Sequence, residues 1–135
     1  MIIVDIEVEL IPLLRDLTGL PTSTRVPDPR PDAFVQVRRS GGAGTYMAGD
    51  RTQILRDEAL VDIFVSAPTE DETAFYASEI RGYMLRLTES QPFSAACYNV
   101  SEQVAMANSD DTLTGVPVSP RKWLSYAIQT RIETN

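Results

Sequence analysis

The sequence predicts an α+β fold: a mixed, mostly antiparallel β-sheet with two helices packed on it. Three stretches carry that expectation. Residues 59–66, ALVDIFVS, put Val61, Ile63 and Val65 on one side of a strand and Leu60, Asp62 and Phe64 on the other. Just after Pro68, Thr69 and Glu72 stand in capping-box spacing and open an amphipathic helix. Residues 122–133, KWLSYAIQTRIE, alternate again and close the chain as a strand. At 135 residues and 43% apolar, the chain is large enough for one core, and a single domain across residues 1–135 is the simplest organisation.

The N-terminal stretch supports two readings. Ile2, Val4, Ile6, Val8 and Leu10 alternate like a strand, whereas Ile3, Ile6, Leu10, Leu13, Leu14 and Leu17 line one helical face. Asp5 suits a helix N-cap, Glu7 and Glu9 suit the positive end of the dipole, and Gly19 is a natural stop. A helix over residues 5–17, kinked at Pro12, is the preferred expectation. Residues 20–32 hold Pro21, Pro27, Pro29 and Pro31 and read as a stiff, extended connection, with a short strand at 23–26. A strand follows at 34–39, with Phe34, Gln36 and Arg38 on one face and Val35, Val37 and Arg39 on the other. Residues 40–44, SGGAG, read as a flexible turn. A short strand is expected at 53–56, before the strong one at 59–66.

The capped helix is expected over residues 70–88, burying Tyr76, Ala77, Ile80, Tyr83, Met84 and Leu87 on the sheet. Residues 95–105 read as a strand, with Tyr98, Val100, Glu102 and Val104 opposite Cys97, Asn99, Ser101 and Gln103. Residues 108–120 are polar and rich in turn formers. In the last strand, Leu124, Tyr126, Ile128, Thr130 and Ile132 make an apolar face. Trp123, Ser125, Ala127, Gln129 and Arg131 make the opposite one, wet or inter-subunit.

Composition narrows the function. There is no histidine, the commonest acid–base residue and metal ligand. The net charge of −7 argues against general adhesion to nucleic acid, which needs clustered positive charge. No run approaches the length of a membrane span, and the acidic start, MIIVDIEVEL, is unlike a signal peptide. A single cysteine, Cys97, fits a reducing cytoplasm. One lysine stands against eleven arginines, a bias that suits forked protein contacts and that a GC-rich coding sequence would also produce.

No stretch carries a recognisable chemistry. Gly41, Gly42 and Gly44 lack the lysine and the following helix of a phosphate loop. Asp110 and Asp111 lack the regular acid spacing of a calcium loop. Asp57, Glu58 and Asp62 read as sheet-surface acids, with Glu58 and Asp62 too far apart along one face to work as a pair. Cys97 has no histidine to activate it and reads as a buried, inert thiol. The sequon at Asn99 matters only in a secreted eukaryotic protein. Arg38 and Arg39, adjacent on a strand, point to opposite faces and cannot form one patch. The expectation is a protein without catalytic centre, cofactor or metal.

Several segments, in order, resemble one family. The opening MIIVD runs into the first helix, and TRVPDPRP leads into FVQVRRSGG. Asp50 and Thr52 begin a sheet segment that reaches ALVDIFVSAPTEDE, and TGVPVSPRKWLSYAIQTRIE closes the chain. This arrangement is similar to the tail terminator proteins of long-tailed (siphovirus) bacteriophages of actinobacterial hosts. The likeness covers most of the chain, while residues 91–105 match only in strand character.

The resemblance implies a tail-terminator-like subunit. Six copies would form a ring that caps the head-proximal end of the tail tube, stops its polymerisation and joins tail to head. Its partners would be further copies of itself, the major tail tube protein and a head-completion (stopper) protein. DNA would pass through an acidic lumen without sequence-specific binding, and the virion would be assembled in the bacterial cytoplasm. Arg25, Pro27, Arg30, Arg38, Arg39, Gly41, Gly42, Tyr46 and Asp50 are the expected protein-interface residues. Two other classes stay open: a neck or head-completion protein of the same virus, and an enzyme or small-ligand binder, which would need a pocket of convergent polar groups.

Overall fold

The computed structural model describes residues 5–47, 50–109 and 120–131; for residues 45–47 and 50–55 it describes the backbone alone. Ile3, Asp110, Asp111 and Ile132 therefore lie outside the described residues, as do the side chains of Tyr46 and Asp50.

Among the described residues eight elements follow one another: α1 (Ile6–Thr18), β1 (Thr22–Ser23), β2 (Phe34–Met47), β3 (Asp50–Ser66), α2 (Glu70–Met84), α3 (Leu87–Ser90), β4 (Ala96–Asn108) and β5 (Arg121–Arg131). The strands form one sheet in the order β1-β2-β3-β5-β4. Among the described strands β1 and β2 run parallel and the other neighbouring pairs are antiparallel. The fold is α+β, with two long helices and one helical turn on a mixed, mostly antiparallel sheet.

The helices begin and end where side-chain chemistry permits. Asp5 accepts a hydrogen bond from the Val8 N–H, and Gly19 ends α1 in a left-handed conformation with φ 71°. These caps settle the N-terminal ambiguity in favour of the helix. Pro12 sits inside α1, so the Val8 carbonyl lacks its usual intrahelical partner. Thr69 accepts from the Glu72 N–H at 3.2 Å, as the capping spacing requires.

One core lies between the helices and the sheet. Ile6, Leu10 and Leu14 of α1, and Ala77, Ile80 and Met84 of α2, pack on Val35, Val37, Val61, Ile63, Val65, Leu124, Tyr126 and Ile128. Each of these side chains is fully buried. Ile80, Met84 and Leu87 bury as expected, whereas Tyr76 is only partly buried against the core.

Several expectations are corrected. The helix over 70–88 breaks: α2 stops at Met84, Leu85 turns outward, and α3 swings Leu87 back into the core. Residues 40–44 are not a turn. β2 runs on through the glycines to Met47, paired with β3, and the strands expected at 53–56 and 59–66 are parts of that one long β3. Pairing with a continuous partner backbone overrides the turn preference of the glycines. The expected strand at 23–26 is only Thr22–Ser23. The connection after it is not straight but bends around residues 24–25, 28–29 and 32–33, with a cis Asp28–Pro29 peptide; prolines offer no N–H to extend the β1–β2 pairing. In β4 a bulge between Cys97 and Asn99 resets the alternation, so Cys97 joins Val100 in the core and Tyr98 is turned out, 41% exposed.

Candidate interaction surface

The two faces of the sheet have different fates. On the helix-covered face the polar groups are paired. Arg39 Nη1 and Nη2 donate to the two Asp57 carboxylate oxygens, each at 2.9 Å. Its Nε donates to the Gly41 carbonyl at 3.1 Å, and its backbone N–H donates to Glu7 of α1 at 2.9 Å. The Asp57 hydrogen bond raises the Arg39 pKa above its ordinary value. Arg81 of α2 donates from Nε and Nη2 to Glu102 of β4 at 2.9 and 3.0 Å. Tyr126 Oη donates to the same carboxylate at 3.4 Å. Burial, with help from Glu102, pushes the Tyr126 phenol far up. Burial also pushes the Cys97 thiol up, which keeps it protonated and unreactive.

The Arg39 contacts surround an irregularity in β2. The register shifts between Arg39 and Gly41, so Ser40 is an extra residue. Gly42 follows with φ 124°, and a Cβ there would lie 1.8 Å from the Glu58 carbonyl oxygen. Only glycine fits this crossing. Beyond it β2 and β3 continue, paired with each other, as a hairpin arm. Among the described residues β5 pairs with β3 from Arg56 onward and residues 50–55 pair with β2, a stretch of about 20 Å at strand spacing.

Among the described residues no helix packs on the other sheet face. Its centre is apolar, with Leu60 and Phe64 of β3 beside Ala127 and Trp123 of β5 in register. The Phe64 and Trp123 rings stack with centroids 6.3 Å apart, and Arg121 lies 4.6 Å over Phe64. Trp123 Nε1 donates to Asp62 at 3.0 Å, and Gln129 donates to Glu58 at 2.8 Å. The three acids weighed as a carboxylate cluster are thus held apart: Asp57 by Arg39, Glu58 by Gln129 and Asp62 by Trp123. Toward the arm, Arg56 and Arg131 stand directly opposite each other, and Arg56 reaches 5.9 Å over the Tyr98 ring.

The expected interface residues scatter over this geometry. Arg38 is exposed on the helix-free face, and Arg39 is engaged on the other. Arg25 and Arg30 are exposed in the proline-rich connection, where Arg30 lies 5.3 Å over the Phe34 ring; Pro27 is half-buried. Gly41 and Gly42 are in β2, and the backbones of Tyr46 and Asp50 are in the arm. Arg56, Arg121, Phe64 and Phe75 were not singled out as interface residues from sequence. For Arg121 and Phe64 the alternation of β3 and β5 was the available signal.

An open cleft of about 500 Å³ lies between the start of α2 and β5, lined by Glu70, Asp71, Thr73, Asn108, Arg121 and Lys122 among others. Its lining mixes both charge signs. Among the described residues no group of three histidine, cysteine, aspartate or glutamate side chains is placed to hold a metal ion. No helix among them is long and apolar enough to cross a membrane. Compared with protein-family models and with curated proteins, the chain matches neither.

Proposed function

We propose that this chain is a structural, non-catalytic protein of a long-tailed bacteriophage: a tail terminator. Six copies form a ring at the head-proximal end of the tail tube, stop its growth and join tail to head. The neighbours are further copies of the chain, the tail tube protein and a head-completion protein, with DNA passing through the ring. The sequence resemblance supplies the family. The observation that carries the reading is the long β2–β3 hairpin, which extends past the described β3–β5 pairing. A hairpin that runs on past the described β3–β5 pairing is suited to contact a neighbouring subunit. The Arg39 guanidinium, bonded to Asp57, Gly41 and Glu58, and the obligate Gly42 at its root set the arm's direction before docking.

The test is imaging of tails assembled with and without the chain. A six-fold ring at one end of each tube, and over-long tubes in its absence, are expected. Tubes of normal length without it would overturn the proposal. Placement of the chain against the portal alone would make it a neck protein instead.

A further inference from the structure

Charge is segregated between the two layers of the subunit. Residues 5–18 and 69–91, the helices with their caps, carry nine carboxylates and three arginines. The helix-free sheet face reverses the sign: Arg38, Arg56, Arg121 and Arg131 stand against Glu58 and Asp62, and both acids are already bonded to Gln129 and Trp123. Arg56 and Arg131, paired across the strands, are like charges that disfavour each other in the isolated chain. A carboxylate from outside relieves that repulsion.

The helix layer offers a matching surface. Asp71, Phe75 and Glu79 recur every fourth residue on the outer side of α2, so they stand one above another, all exposed. Phe75 is 60% exposed, a large ring in water between two acids. The sheet face presents the complement: an apolar centre of Leu60, Phe64 and Trp123 with arginines around it. Aromatic anchors inside a rim of opposite charge are what stable protein contacts use.

We propose that the Asp71–Phe75–Glu79 stripe of one copy seats on the helix-free sheet face of the next copy. Phe75 and Glu79 lie on the helix layer while Leu60, Arg56 and Arg131 lie on the far side of the sheet, so these groups cannot meet within one chain; Asp71, at the start of α2, lines the open cleft together with Arg121. The contact is therefore head-to-tail, and such contacts repeat from copy to copy and close into rings when the rotation permits. This rests on the ring reading above and names the surfaces that make the ring.

The experiment is sedimentation velocity on the purified chain at low and high salt, with two charge-reversed forms. One carries Arg56→Glu and Arg131→Glu, the other Asp71→Lys and Glu79→Lys. All four side chains are exposed, and circular dichroism verifies that each form folds. Wild-type self-association that weakens with salt is expected. Each reversed form alone should associate more than about tenfold more weakly. An equimolar mixture should recover association, because each reversed surface then meets its complement on the other chain. Phe75→Ala should weaken association at both salt concentrations. A wild-type chain that stays monomeric at about millimolar concentration and low salt would overturn the inference. So would a mixture that associates no better than its parts. Retention of a DNA duplex by the wild type, lost on Arg56→Glu and Arg131→Glu, would assign the face to nucleic acid instead. Both reversed forms capping tails normally would remove this inference and leave the terminator reading standing. A chain that self-associates as described but never sits on tails would do the reverse.

Discussion

The two faces of one sheet, built from alternate residues of the same strands, behave as different materials. Ile63 faces the helices and is fully buried, while its neighbour Phe64 faces away and is half-buried. On the covered face, Arg39 is paired with Asp57 and Arg81 with Glu102. The helix-free face leaves arginines such as Arg38, Arg56 and Arg131 exposed. A strand's period of two allows this, because each position answers to one environment only. What it teaches is that the stability of this chain and its candidate contacts are encoded in interleaved residues. They should be separable by mutation.

The sharpest separation comes from truncating one residue on each face. Ile63→Ala should lower unfolding stability by about 2–5 kcal/mol, whereas Leu60→Ala should cost only about 1 kcal/mol in the isolated chain. Urea denaturation measures both; equal losses would mean that the helix-free face is already covered within the subunit. Next in size is Gly42→Ala, which sets a Cβ against the Glu58 carbonyl and forces an unfavourable backbone. It should cost about 2 kcal/mol or more, with amide exchange rising first at the root of the arm.

Arg39→Ala should follow at about 1–2 kcal/mol, since the pair is partly buried and partly screened. Asp57→Ala added to it should cost little more, which a double-mutant cycle would show. Arg38→Ala, on the opposite face, should be near neutral in the same assay.

The smallest effect is in alkali. Tyr126, raised above its ordinary value of 10.0 mainly by burial, stays neutral in the fold after an unfolded tyrosine ionises. Its stabilising contribution is complete below about pH 10 and is lost as pH rises toward its folded value. Absorbance titration should show a tyrosine that ionises only as the chain unfolds, and Tyr126→Phe should remove that step. Free titration of all five tyrosines near pH 10 would contradict the buried Tyr126–Glu102 contact.

Where the sequence was legible, the signal was local. Asp5, Gly19, Thr69 and Glu72 marked helix ends because caps act on backbone groups three or four residues away. The alternation of residues 59–66 and 124–130 showed which side chains face the core. The misreadings share one cause. Ser40 to Gly44 looked like a turn because the partner that holds them in a strand is β3, up to twenty residues on. The break at Leu85 has only Gly82, three residues earlier, as a local signal, and it places Leu87 in the core. The bulge at Tyr98 arises in pairing with β5, thirty residues away, so nothing near it announces the reversal.

The candidate surface divides the same way. Arg38 and the helix-free side of β5 were visible as alternation, although that side is not wet as expected: Ser125 and Ala127 are buried and Trp123 and Gln129 half-buried between neighbouring strands. Their assembly with Arg56, Arg121 and Phe64 into one arginine-rimmed face depends on β5 inserting between β3 and β4. By itself the sequence determined the fold class, the helix caps and the apolar sides of the strands, because each follows from spacing along the chain. Only the tertiary structure decided the length of the hairpin, the engagement of Arg39 and the opposite charges of the two layers. Those follow from strand order and register, which bring together residues the chain holds far apart.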